Sequence, residues 1–356
     1  MKPPRQFLFS VIIASISLPI PTYSSIIPSQ ETLQSTSQNI LPSVPRFPNT
    51  LGIGFELSMT YATAALFLAN GTTLPITTIF AGAQYIKAMD EYADKQRRFF
   101  AHNCPLCDDD ELAALRPGHS ASLSRMLRAL KRDVEEWLSD EALGGEVKAA
   151  TACAPYLETL WRDDMLDAFA MVGMEYLYEP ETSSTRDMVY SSSAVFAGNG
   201  MGLCADYIEV ETCREEERNM RPKHMVHIHY TSRWLLVSDP SITHAYNLSE
   251  SSERWPMEWK LGSDARSTRR RDVYWSELNT LLRLKGFENH DGGFRDVLLS
   301  GESASYPEFR AVLEELMRDL FPDEKHLPKV DGDDALYVAA KGAAEIAKRA
   351  LWKRRR

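Results

Sequence analysis

Long apolar runs are scarce in this 356-residue chain, and so are cysteines, of which there are five. Beyond an N-terminal stretch, no segment approaches the roughly twenty apolar residues a bilayer-spanning helix needs, so no transmembrane span is expected. Excess positive charge is also missing. Forty Lys and Arg against 50 Asp and Glu leave a formal net charge of −10, which argues against nucleic acid as a partner. No Gly-x-Ser-x-Gly elbow occurs, and Ser303 in Gly301-Glu302-Ser303-Ala304 lacks the second glycine, which removes that hydrolase signature. The CxxC pair Cys104-Pro105-Leu106-Cys107 has no second pair to complete a zinc site and no thioredoxin-like context for redox work. What remains, 44% hydrophobic and 25% charged, is the composition of a folded globular protein. The length allows one large two-lobed domain or two ordinary ones.

The N-terminus has the layout of a secretory signal. Lys2 and Arg5 supply positive charge, Phe7 to Ile20 forms a short apolar core, and Pro21-Thr22-Tyr23-Ser24-Ser25 offers small residues for cleavage. Residues 1–25 are thus expected to be a signal peptide, with an uncleaved signal anchor as the alternative. Residues 26–50, rich in Ser, Gln, Thr and Pro, read as a flexible leader. The expected location is outside the cell or in the endoplasmic reticulum lumen. In such an oxidising compartment Cys204 and Cys213, with eight residues between them, are expected to form a disulfide, and Cys153 falls in an apolar run suited to a buried thiol. His224, His227 and His229, with those cysteines upstream, offer a competing metal cluster. In a strand His227 and His229 point to one face, but the disulfide explains the cysteines better, and no metal is expected. The sequons at Asn70 and Asn247 would be exposed glycan acceptors. The tail Lys353-Arg354-Arg355-Arg356 reads as a solvated terminus.

Periodicity places the folded part from Leu51 onward. Leu51 to Leu68 is small, apolar and β-forming, with Asn70-Gly71 as a turn before Thr72-Thr73-Leu74-Pro75-Ile76. Residues 79–100 read as helix. Leu123, Met126, Leu127, Leu130, Val134, Trp137 and Leu138 have the spacing of an amphipathic helix that Gly144-Gly145 stops. Val147 to Cys153 reads as a strand, Tyr156 to Tyr176 as a long helix, and Ala194 to Gly202 as a glycine-studded turn. Met225–Tyr230 and Trp234–Val237 pair as a hairpin. The end reads as helix 272–285, strand 296–300, helix 307–320 and helix 333–351. Alternating strands and helices indicate α/β or α+β. No internal repeat is visible in the sequence.

Asp296-Val297-Leu298-Leu299-Ser300-Gly301-Glu302-Ser303 is an apolar strand ending in a small-residue turn, a way in which α/β folds offer backbone N–H groups to a ligand. The small run Ala339-Ala340-Lys341-Gly342-Ala343-Ala344 would let a helix approach another element closely. This pair resembles the end of the ATPase domain of the seventy-kilodalton (DnaK-like) heat-shock chaperones. The resemblance extends in order from Gly52 to about Ala350. Gly52-Ile53-Gly54-Phe55 with Thr60-Tyr61 resembles the first phosphate loop. Ala154-Pro155-Tyr156-Leu157 and Tyr178-Glu179-Pro180-Glu181-Thr182 resemble the Pro-Ala-Tyr-Phe and Asn-Glu-Pro-Thr segments. His227-Ile228-His229-Tyr230-Thr231 stands at the second phosphate loop, and Leu261-Gly262-Ser263-Asp264 resembles the opening of the lobe II helices.

The resemblance implies an α/β, two-lobed, actin-like ATPase (ribonuclease-H-like) fold, in a divergent fungal-type member without a peptide-binding domain. Its lobes would be structurally duplicated: lobe I over 51–195, lobe II over 196–325, and a crossing helix with basic tail over 326–356. It also implies nucleotide contacts at Gly52, Ser58, Thr60, Gly198, Gly200, Thr231, Gly301 and Ser303, with ATP or ADP held weakly. The loops are degraded. The family's Mg²⁺-organising Asp falls on Gly54, and Glu56 puts an acid before a triphosphate, a repulsion of about 4 kcal/mol at 4 Å in an effective dielectric near 20. His229-Tyr230-Thr231-Ser232-Arg233 replaces the glycines that wrap phosphate. Arg233 retains a cation that could meet phosphate, while Ser305 replaces the adenine-stacking Arg. No catalytic residue is expected. The implied role is a degenerate chaperone-ATPase-like module of the secretory route that binds a protein partner or, weakly, a nucleotide. Two alternatives stay open: an active ATPase of the endoplasmic reticulum, and a secreted interaction protein without a ligand.

Overall fold

The computed structural model describes residues 51–101, 118–143, 145–157, 159–178, 188–245, 257–258, 261–287, 296–322 and 329–353, all within the unit Phe47–Arg356. The expected signal and leader, Cys104 and Cys107, Glu179 to Thr182, Asn247 and residues 354–356 lie outside the described residues.

Small and β-forming residues from Gly52 build a meander: β1 (Gly52–Leu57), β2 (Tyr61–Phe67) and β3 (Thr73–Phe80). β1 and β2 are both buried throughout. The expected turn lies between β2 and β3, with Gly71 at φ 85°. The β-branched run Ile76-Thr77-Thr78-Ile79 carries β3 to Phe80, so the helix expected from residue 79 begins later, as α1 (Ala83–Ala101). α2 (Ser120–Asp140) buries the expected stripe of Leu123, Met126, Leu127, Leu130, Val134 and Leu138. β4 (Ala149–Ala154) follows. The long helix expected over 156–176 is not formed. α3 covers only Arg162–Ala170, started by an Asp164 carboxylate that accepts the Trp161 N–H at 3.0 Å, and the chain turns at Gly173 with φ 67°. Its remainder forms β5 (Glu175–Tyr176), followed by β6 (Val189–Tyr190).

The glycine-studded stretch also differs from expectation. Ser191–Gly198 is a buried helix, α4, and the turn is confined to residues 199–202. α5 (Val210–Arg218) has no counterpart among the expected elements. The hairpin is present as β7 (Lys223–Tyr230) and β8 (Leu235–Ser238), followed by β9 (Ser241–Ile242) and β10 (Met257–Glu258). Next come α6 (Ala265–Thr268) and α7 (Arg271–Leu282), which relaxes into a π-type turn over Arg283–Phe287. β11 (Asp296–Ser300) and α8 (Pro307–Leu320) fall where periodicity put them. After β12 (Val330–Asp331), the last helix, α9, runs over Val338–Lys353.

The strands form two mixed sheets, and the chain is α/β. The first has the order β3-β2-β1-β4-β5, with β6 also on β4; the second has the order β10-β8-β7-β11-β12, with β9 also on β7. In each, a strand pairs antiparallel with its successor and parallel with a later one: β1 with β2 and β4, β7 with β8 and β11. The repeat invisible in the sequence is thus present in the topology. Pleating assigns the faces. Val226, Ile228 and Tyr230 of β7 join Val297 and Leu299 of β11 in a second core with α7 and α8, whereas Met225 and Leu298 enter the first core. The face of β7 and β11 turned toward the first core also carries His227, His229 and Ser300.

α9 lies against β1 with almost no side chain between. A Cβ on Gly54 would meet Ala344 N at 2.1 Å and Ala340 O at 2.2 Å, and one on Gly342 would meet Ala194 O of α4 at 1.7 Å. The small-residue run therefore does allow close approach, on both sides of the helix.

Candidate functional site

Three turns meet where the two sheets adjoin. The first, Ser58-Met59-Thr60, joins β1 to β2; the second, Thr231-Ser232-Arg233, joins β7 to β8; the third, Gly301-Glu302-Ser303, follows β11. Gly301 needs its lack of a side chain twice over. Its φ is 104°, and a Cβ would stand 2.2 Å from Tyr230 O. This contact seats the third turn against the second, where Ser303 N–H donates to Tyr230 O at 3.1 Å. Ser303 Oγ hydrogen-bonds Ser263 Oγ at 2.9 Å. Ser263 N–H donates to Thr231 O and Asp264 N–H to Ser232 O, so the segment 261–264 clamps the second turn.

The acid of the third turn bridges the other two. Glu302 Oε1 accepts the Thr60 hydroxyl at 2.9 Å and the Ser232 backbone N–H at 2.8 Å. One side chain thus takes a donor from each of the other two turns. A second bridge runs through imidazoles. Ser58 Oγ lies 3.0 Å from His229 Nε2, and Ser300 Oγ lies 2.7 Å from His229 Nδ1 and 2.8 Å from His227 Nε2. His227 and His229 do share a face, and what they share on it is one serine hydroxyl. Among the described residues, Cys204, Cys213 and Glu217 form a group close enough to share an ion, but Cys204 and Cys213 are joined as the expected disulfide.

Burial sets the charge states. It depresses His227 to about 3, helped by His229, and His229 to about 4, so both imidazoles are neutral near pH 7. Burial raises Glu56 to about 8, opposed by hydroxyl bonds from Thr63 and Tyr61, each at 3.2 Å. Glu56 is therefore protonated near neutral pH. That corrects the expected repulsion, because the acid in the first turn's strand carries no charge there. Burial also raises Glu302, against the lowering effect of its Ser232 and Thr60 bonds.

Of the residues expected at a nucleotide, Ser58, Thr60, Thr231, Gly301 and Ser303 are brought to this junction. Thr231 closes its own turn, its Oγ1 accepting Trp234 N–H at 3.1 Å. Gly52 and Gly198 sit elsewhere, under α9: a Cβ on Gly52 would meet Ala344 O at 2.2 Å, and one on Gly198 would meet Val338 O at 2.1 Å. Gly200 occupies an open turn at φ 71°. Arg233 pairs with Asp90 of α1 at 3.0 Å. Glu302 and Ser300 carry no expected role in the sequence. The one available signal was an acid between two small residues in a turn expected to face an anion.

No family model matches the chain. No curated protein matches it either. Among solved structures, the ethanolamine utilization protein EutJ from Carboxydothermus hydrogenoformans is similar at 12% identity and a TM-score of 0.46, over 85% of this chain and 91% of that one.

Proposed function

We propose that this chain is an actin-like, two-lobed module of the chaperone-ATPase kind that has lost nucleotide hydrolysis and acts on the secretory route by binding another protein. The duplicated strand order supports the architecture, and the small-residue contacts of α9 with β1 and α4 support its role as a crossing helix. The observation that carries the functional reading is the Glu302 carboxylate, which accepts from Thr60 and Ser232 at 2.9 and 2.8 Å. An internal carboxyl group occupies one donor on each of two turns. Phosphoryl transfer depends on positioned metal, backbone donors and an oriented water. The resemblance puts the family's metal-organising acid at Gly54, and the α9 backbone occupies the space a side chain there would need.

Calorimetric titration of MgATP and MgADP, alongside phosphate release, tests this reading. The expected result is no hydrolysis above background and no saturable nucleotide binding. Glu302→Ala should leave hydrolysis absent, because removing the bridging acid restores no metal site. Steady Mg²⁺-dependent phosphate release that Gly301→Trp abolishes would overturn the proposal.

A further inference from the structure

The outer side of β3 is the edge of the first sheet, since β3 pairs only with β2 among the described residues. Exposed edges of β-forming sequence are templates for another strand unless something blunts them. Here Pro75 withdraws one N–H early in the strand, while Ile76-Thr77-Thr78-Ile79-Phe80 continues without proline or charge. The strand ends at an open groove of about 410 Å³ between β3, the start of α1 and the first half of α2. Ile79, Phe80, Tyr85, Met126 and Ala129 line it. Phe80 is 71% exposed, the most exposed large apolar side chain among the described residues.

One cation stands in this apolar groove. Arg125 donates to the Ser122 hydroxyl one turn earlier on α2, at 3.0 Å, and has no ion pair with a carboxylate among the described residues. On the same helix Arg132 pairs with Asp133, whereas Arg128, like Arg125, meets no carboxylate among the described residues and donates to Met171 O at 3.3 Å. An apolar hollow beside a strand edge, with a guanidinium lacking its acid, calls for a ligand that supplies all three complements: main chain, apolar side chain and carboxylate.

We infer that the β3 edge and this groove bind an extended segment of a partner protein, with a large apolar side chain entering the groove and an adjacent carboxylate on Arg125. The segment would add a strand to the sheet through main-chain hydrogen bonds, with the groove giving the specificity. A second copy of this chain, paired edge to edge through β3, is the competing occupant that the test separates. The inference deepens the partner-binding reading and rests on it for the existence of a partner.

Selection of a random-peptide display library on the full chain, followed by affinity measurement of the winners, is the test. Phe80→Asp and Arg125→Glu serve as comparison targets; both residues are exposed, and thermal melts check that the variants stay folded. Winning peptides should carry a large apolar residue next to Asp, Glu or a free C-terminus. They should lose about tenfold or more in affinity against either variant, the size of one central contact. Amide exchange over residues 76–80 should slow when they bind. No enriched peptide, or winners that bind both variants like the parent, would overturn the inference. So would a concentration-dependent dimer that Phe80→Asp dissociates, which would assign the edge to a second copy. Failure here with nucleotide still excluded leaves the closed junction standing, whereas nucleotide turnover with peptides bound overturns only that earlier reading.

Discussion

The two sheets repeat one strand order, yet the faces they turn inward are built for different purposes. In the first, the inward face of β1 is bare at Gly52 and Gly54, and the backbone of α9 occupies the space. In the second, β7 and β11 present His227, His229 and Ser300, joined by hydrogen bonds of 2.7 and 2.8 Å. One face trades side chains for helix contact; the other holds a buried polar network whose every member needs a partner. The difference explains why the first sheet lacks the acid that the chaperone resemblance leads one to look for. Any side chain at position 54 would strike Ala340 O and Ala344 N at its Cβ.

Breaking the first face should have the largest effect. Gly54→Val places a branched side chain against main-chain atoms 2.1 and 2.2 Å from its Cβ, and backbone cannot step aside as a flexible side chain does. The expected cost is at least about 3 kcal/mol, seen as a lowered denaturation midpoint or as failure to fold. A variant within experimental error of the parent would mean that α9 is not seated on β1.

Next in size is the connector between the sheets. The Cys204–Cys213 bridge holds α5 beside the end of α9, where Arg349 Nη1 lies 3.7 Å from Cys204 Sγ and Trp352 Nε1 donates to Ile208 O at 2.7 Å. Replacing both cysteines by serine should cost roughly 2–3 kcal/mol in the chain-entropy model. Amide exchange would show which sheet loosens with it. The contacts with α9 point to the first. Free alkylation of both cysteines in native protein would mean that no bridge ties α5 in place.

The Glu302 bridge comes third, because it ties the sheets only at their turns. Glu302→Ala strands the Ser232 N–H and the Thr60 hydroxyl, for about 1–3 kcal/mol. Glu302→Gln keeps an acceptor and should recover most of that loss. If Glu302→Ala melts like the parent, the carboxylate is not holding the turns.

Much of this fold is legible in local pattern, and little of the junction is. The α2 stripe, the β7–β8 hairpin, β11, α8 and the cysteine pair each depend on neighbours within a few residues. So does the expectation that Gly342 and its alanines permit close packing. The departures have local causes too. A helix over 156–176 cannot continue through the left-handed turn at Gly173, and α4 resembles a turn in sequence because its serines and alanines end in glycines. The junction is different in kind. Thr60 and Glu302 are 242 residues apart, and Ser58 and His229 are 171 apart. No periodicity links such residues. The chaperone resemblance places the turns near one another but not the side chains that close them, and it gives Glu56 a charge that burial removes.

The smallest effect near neutral pH separates the two faces by titration. Unfolded, His227 and His229 take a proton near 6.5; folded, burial holds them at about 3 and about 4. Below 6.5 the unfolded chain therefore binds more protons than the folded one. The stability tied to these imidazoles is complete above 6.5 and is lost as pH falls toward about 4 and 3. Glu56, on the first sheet, runs the opposite way. Its ordinary value is 4.5 and burial lifts it to about 8, so the folded chain holds the extra proton. That contribution is complete below 4.5 and declines as pH rises through about 8. Between 4.5 and 6.5 the two sheets pull stability in opposite directions, but two imidazoles outweigh one carboxyl by one proton, so stability still rises with pH there, peaks near 6.5 and falls toward about 8. Urea midpoints measured across this range give the profile. His227→Gln with His229→Gln should remove the rise below 6.5, while Glu56→Gln should remove the fall above 6.5 and steepen the rise between 4.5 and 6.5. If neither limb moves, the buried groups do not govern the pH response. If the histidine pair governs the fall above 6.5, or Glu56 the rise below 4.5, the two faces titrate as a single coupled unit, and the division of labour between the sheets does not hold.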